Sequence, residues 1–157
     1  MGYITYETMQ QLKAVGFSFP TYEHFLNLGM TYYYQGNEYI IGGNLTSEFT
    51  EKDKIVAREG CWLPTAEQLL EWFALVEIDV YIQLDASDRC YCITATDFST
   101  GMQASNKGRT LALSLAMLIQ KFCKKGLRPY IPKGVQRLKI EGTTGQGDGS
   151  PVTSEDE

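Results

Sequence analysis

Ile78-Asp79-Val80-Tyr81-Ile82-Gln83-Leu84, then Asp85-Ala86-Ser87-Asp88-Arg89, then Cys90-Tyr91-Cys92-Ile93-Thr94-Ala95-Thr96-Asp97-Phe98 is the stretch that decides the fold class. Its first part alternates. Ile78, Val80, Ile82 and Leu84 fall on one side of an extended chain, and Asp79, Tyr81 and Gln83 on the other. A polar turn at 85–89 follows, and the β-rich run 90–98 returns as a partner strand. A hairpin pairs its strands antiparallel, whereas parallel strands need a long crossover. The expectation is therefore an α+β protein, an antiparallel sheet of hairpins with helices packed on it.

Working outward, 99–109 reads as a Gly- and Ser-containing loop. It leads into a strongly apolar helix over 110–124, with Lys121, Lys124 and Lys125 near its C-terminal end, where cations suit the helix dipole. Upstream, Thr65 with Gln68 three residues on is a capping box, and Leu69, Leu70, Trp72, Phe73 and Val76 form the apolar face of that helix. Trp72, Phe73, Leu115 and Leu118 are the expected core. Residues 45–60 are polar with charges of both signs and read as a connector with a short strand at 54–57. Before them, 30–34 and 38–41 flank Gln35-Gly36-Asn37 as a hairpin. Thr5 caps a helix over 5–15, with Gly16 at its end, and Thr21 caps a second that ends at Gly29. Pro129 and Pro132 prevent further helix, and 135–140 is a candidate last strand.

The element order is α-α-β-β, connector, α-β-β-α. Residues 1–142 read as one α+β domain, divided loosely into 1–44, the connector 45–60 and 61–142. Residues 143–157 are Gly, Thr, Ser and acid without an aromatic ring, an acidic tail that is either disordered or docked. With 157 residues and 43% hydrophobic residues the chain can bury a core without a metal or a disulfide. The longest apolar run, 111–119, is nine residues, under half of the ~20 a membrane span needs. The first residues lack a basic region followed by an apolar run, so no signal peptide is expected, and the expected location is the cytoplasm.

The scarce residues narrow the chemistry. His24 is the one histidine, which removes two- and three-histidine zinc sites and leaves His-assisted hydrolases a single candidate base. Its setting, Thr21-Tyr22-Glu23-His24-Phe25-Leu26, reads as a partly exposed helix position. Cys61, Cys90, Cys92 and Cys123 lack zinc-knuckle spacing, although Cys90 and Cys92 share one face of a strand. They read as reduced thiols, and neither a metal nor a cofactor is expected. The carboxylates Asp79, Asp85, Asp88 and Asp97 sit at a strand edge or in turns, where solubility accounts for them, so an enzyme is not expected.

Charge is segregated along the chain. Residues 1–106 carry 5 basic and 14 acidic residues, 107–139 carry 9 basic and no acidic ones, and 140–157 carry 5 acidic and no basic ones. Three readings compete: pairing of the basic segment with the acidic body, a site for an anionic small molecule such as a nucleotide, or nucleic-acid contact. The sequence pI near 4.9 weighs against the last. The best anion site is the run Gly101-Met102-Gln103-Ala104-Ser105-Asn106-Lys107-Gly108-Arg109-Thr110, entering a helix N-terminus. It is not a P-loop, because the glycine spacing is two residues too long and Arg109 stands where the lysine belongs. Lys107, Gly108, Arg109 and Thr110 are the candidate ligand-binding residues, with Tyr33 a ring to stack on a base. Tyr32, Tyr33, Tyr34 and Tyr39 put rings on both faces of the first hairpin, which points to self-association.

Tyr6-Glu7-Thr8-Met9-Gln10-Gln11-Leu12-Lys13-Ala14-Val15-Gly16-Phe17 resembles the opening of many small uncharacterised phage and prophage proteins. These often continue with a tyrosine-rich stretch like 32–34 and a helix like Leu63-Pro64-Thr65-Ala66-Glu67-Gln68-Leu69-Leu70-Glu71-Trp72. The segment 65–124 also resembles the phage ABA sandwich domain, with its last helix entered through Gly108-Arg109-Thr110. The resemblance implies a phage-encoded accessory or counter-defence protein acting in the bacterial host cytoplasm, and it supplies no catalytic residue. The expected function is non-enzymatic sequestration of an anionic ligand such as a nucleotide signal. The alternative is a protein–protein inhibitor that uses its acidic surface against a host protein.

Overall fold

The computed structural model describes residues 2–43 and 48–126. The candidate strand 135–140, the acidic tail and Arg128, Lys133, Arg137 and Lys139 lie outside the described residues. The architecture is α+β, with helices and two three-stranded antiparallel sheets. Among the described residues no helix is long and apolar enough to cross a membrane. The chain forms two compact units, the first from residues 2–18 with 64–126, the second from 19–43 with 48–63.

In the first unit, α1 (Tyr6–Ala14) begins where Thr5 Oγ1 accepts the Thr8 amide at 3.1 Å. The capping box at Thr65 opens α3 (Ala66–Leu75), with both reciprocal bonds formed. The hairpin of β4 (Asp79–Asp85) and β5 (Cys90–Asp97) is antiparallel, with Ile82 opposite Ile93. Residues 99–109, expected as a loop, instead contain β6 (Met102–Gly108), paired with β5 along its whole length. No residue of β6 is β-branched or aromatic, so propensity hides it. What makes it a strand is the hydrogen-bonding edge of β5, reinforced by Thr94 with Ser105 and Gln103 with Thr96 across the ladder, each at 3.1 Å.

α4 (Leu111–Lys124), capped by Thr110, lies on β5 and β6 and packs against α1 and α3. Leu115, Leu118, Ile119 and Phe122 meet the inward Ile93 and Ala95, all fully buried. Phe17, Trp72, Phe73 and Phe122 extend this core as a chain of ring pairs 5.2–6.3 Å apart, the first tilted and the other two edge-on. The expected core positions Trp72, Phe73, Leu115 and Leu118 are all within it. Gly108 permits the close approach of β6 to α4, since a Cβ there would meet Ser114 Oγ at 2.4 Å.

In the second unit, β1 (Thr31–Tyr34) and β2 (Asn37–Ile40) form the expected hairpin. Gln35 and Gly36 both adopt positive φ, at 51° and 85°, the requirement of a two-residue primed turn. β3 (Cys61–Trp62) pairs on the other side of β1. Two expectations are corrected here. The helix expected from Thr21 is a single turn, because His24 takes a left-handed backbone (φ 67°) and its Nδ1 lies 3.1 Å from the Ala57 carbonyl oxygen. The connector with a strand at 54–57 contains instead a helix, α2 (Glu51–Glu59), opened by a Thr50/Asp53 capping box. α2 lies against β1 and contacts two of the hairpin rings, Tyr34 and Tyr39. Lys52 Nζ sits 5.9 Å from the centres of both Tyr34 and Tyr39, Tyr39 donates to Asp53, and Tyr32 is fully buried.

Candidate functional site

The expected ligand-binding residues fall at the junction of β6 and α4. Lys107 ends up beside Cys92 of β5, its cross-strand partner, and its Nζ reaches the β4–β5 turn. There it donates to Asp88 Oδ2 at 2.9 Å and lies 3.8 Å from Asp85 Oδ2. The hydrogen bond and charge of Asp88 hold the Lys107 ammonium above the ordinary lysine range. The lysine at the centre of the anion reading thus already has carboxylate partners. Gly108 is a close-packing glycine, and Thr110 uses its hydroxyl to cap α4. Arg109 is exposed at the helix start. Tyr33 belongs to the second unit, half-buried in β1 between Glu38 and Cys61.

Sequence reasoning missed that this turn gathers chemistry-bearing groups. Asp85 stands directly opposite Cys90, and Cys92 follows two residues on along the same face. One ligand atom from each of Asp85, Cys90 and Cys92 lies within 4.8 Å of the other two. The Asp85 carboxylate is held rigidly: its Oδ1 accepts from Ser87 Oγ at 2.9 Å, Ser87 N at 3.1 Å and Asp88 N at 3.2 Å. The Ser87 hydroxyl and the Asp88 amide, with a smaller contribution from Lys107, bring that carboxyl below the usual carboxylate range. Burial pushes the Cys90 thiol up, against the pull of Lys107. The signal was present in the hairpin itself, because pairing 78–84 with 90–98 across a 85–89 turn brings Asp85 to Cys90.

Asp97, another candidate carboxylate, has a structural task. Asp97 accepts from Ser99 N and Oγ at 3.0 and 2.7 Å and fixes the β5–β6 turn. The sheet has two edge strands, β4 and β6, and the larger exposed side chains lie on β4. Among the described residues β4 pairs only with β5. Helix cover falls away along it, from Ile78 at 4% exposure to Ile82 at 38% and Leu84 at 59%, with Tyr81 on the opposite face at 65%. No family model matches the chain, and neither a curated protein nor a solved structure matches it.

Proposed function

We propose that this protein acts by binding another protein, without catalysis, through addition of an extended partner segment to the edge of β4 that is unpaired among the described residues. The observation that carries the reading is the edge itself. It is a seven-residue strand with one side unpaired among the described residues and three large exposed side chains, Tyr81, Ile82 and Leu84. An unpaired row of backbone donors and acceptors is a template for another strand, and the alternating side chains give it specificity. Asp79 and Asp85 close the two ends of β4, and since Asp85 already faces Lys107, the matching segment is apolar in the middle and basic at the end that meets Asp79.

A second copy of the chain fits this edge poorly. Full antiparallel overlap about Ile82 opposes Asp79 to Asp85 twice, and like charges directly opposite are unfavourable. Of the two functions expected from sequence, inhibition of a host protein through an acidic surface is the one this geometry favours. The small-anion reading is weakened because Asp88 and Asp85 already engage Lys107. The phage resemblance adds the class of partner, a bacterial host protein.

The test is site-specific photocrosslinking in bacterial lysate, with the photoreactive residue at Leu84 or, as a control, at Glu67 on α3. The expected result is one discrete adduct from Leu84, absent from Glu67 and lost with Ile82→Lys. Adducts independent of position, or none from Leu84, would overturn the reading. Nucleotide affinity abolished by Arg109→Glu would favour the small-anion function in its place.

A further inference from the structure

We infer that Asp85, Cys90 and Cys92 form a binding site for a thiophilic divalent cation of the zinc class, independent of the strand-addition reading above. Three features of the hairpin support it. First, the register alone juxtaposes the donors: Asp85 faces Cys90 across the ladder, and Cys92 shares the Cys90 face. Second, the span is suitable. Zinc–sulfur bonds of ~2.3 Å and zinc–oxygen bonds of ~2.0–2.2 Å separate tetrahedral ligands by about 3.4–3.8 Å. Donor atoms already within 4.8 Å of one another reach that geometry by small side-chain rotations. Third, the carboxylate is oriented in advance. Three hydrogen bonds engage Asp85 Oδ1, while Oδ2 faces a cation, Lys107 Nζ at 3.8 Å. A carboxylate ligand held by outer hydrogen bonds is the arrangement that tunes metal sites.

The donor set selects the ion. Two thiolates with one carboxylate disfavour magnesium and calcium, which take oxygen ligands, and suit a borderline-soft ion that accepts four-coordination. Two thiolates and a carboxylate around a divalent ion leave one net negative charge. Lys107, half-exposed and hydrogen-bonded to Asp88, balances it from outside the coordination shell. The fourth position belongs to water or to Asp88. Lys107 is also the competing explanation, since its ammonium alone can account for two carboxylates in one turn, but it gives no reason for the two thiols beside them.

The experiment uses the full chain, reduced with a phosphine, titrated with zinc against a chromophoric chelator and separately with cobalt(II) as an optical probe. The expected result is about one ion per chain and a cobalt spectrum with thiolate charge-transfer absorption and tetrahedral d–d bands. Cys92→Ser, at a half-buried position, and Cys90→Ser should each weaken binding by more than about 100-fold, beyond the roughly 10–100-fold cost of losing an outer partner. Cys61→Ser should bind as the parent does. The fluorescence of Trp72 checks that each variant is folded; should Cys90→Ser fail there, Cys92→Ser decides. No zinc binding at micromolar concentration, unchanged affinity in Cys92→Ser, or cobalt bound without thiolate absorption overturns the site. The Ile82→Lys variant should bind zinc as the parent does, so failure of the strand-addition reading leaves this result standing.

Discussion

The two three-stranded sheets are held in different ways. The β4-β5-β6 sheet has strands of seven, eight and seven residues, and a 14-residue apolar helix lies on its inner face. The β2-β1-β3 sheet has strands of four, four and two residues, and the helix against it, α2, buries only Asp53, Val56 and Ala57. The first is secured by apolar burial, which is non-directional and scales with area. The second adds to its Phe19–Tyr22–Trp62 ring cluster a directional network centred on one carboxylate. Asp53 Oδ2 accepts from Thr50 N at 2.9 Å, while Oδ1 accepts from Tyr39 Oη at 3.0 Å and Gly42 N at 3.2 Å. Beside its buried apolar side chains the short-stranded sheet thus depends on polar groups that converge on one carboxylate, which makes it the one sensitive to a single buried charge.

Each unit carries one tryptophan, Trp72 in the first and Trp62 in the second, so each can be followed separately in Trp→Phe backgrounds. The largest effect is expected from Leu115→Ala, a cavity beneath α4 costing about 2–5 kcal/mol by denaturant unfolding read from Trp72. A cost below about 0.5 kcal/mol would break the contrast at its apolar end. Next is Asp53→Ala, which leaves the Thr50 and Gly42 amides without their acceptor and should cost about 1–3 kcal/mol read from Trp62.

The same carboxylate sets an acid response. Burial pushes the Asp53 carboxyl up, but the Thr50 and Gly42 amides and the Tyr39 and Thr50 hydroxyls outweigh it, and the net direction is down. A carboxyl lowered by folding contributes stability above its unfolded value of ~3.9, and that contribution is lost as pH falls through the folded value. The Trp62 transition should therefore weaken below about pH 4, and Asp53→Asn should flatten that slope. An unchanged slope would remove Asp53 from the centre of the network.

Gly108→Ala sharpens the packing side of the comparison. The added methyl must displace Ser114 Oγ, at an expected cost of about 1–3 kcal/mol, partly recovered with Ser114→Ala in a double-mutant cycle. The smallest effect is Lys107→Gln, for which no measurable change of the Trp72 thermal midpoint is expected, because an exposed ion pair is screened by water. A clear loss would mean that polar contacts secure the larger sheet as well.

What could be read from the residues alone is what acts over three or four positions. Thr5 and Thr65 were legible as helix caps, Gln35-Gly36 as a turn, and 110–124 as a helix with one buried face, its first residue Thr110 proving to be the cap. The β4–β5 hairpin was legible because its alternation and its turn agree. α2 carried a readable capping box at Thr50 and Asp53, but Ile55, Val56 and Ala57 are contiguous and make no helical stripe, so the segment looked like a connector. The candidate site was half-legible: Cys90 and Cys92 on one face, and Lys107 as a cation of interest. That Lys107 meets Asp88 and Asp85 depends on β6, whose seven residues have no strand character of their own. Caps, turns and amphipathic faces are properties of neighbours in sequence, so the amino-acid order determined them. The third strand, the helix over the tyrosine hairpin and the arrival of Lys107 beside Cys92, Asp85 and Asp88 were decided only by the tertiary structure, because there a backbone edge or a charge finds its partner across the fold.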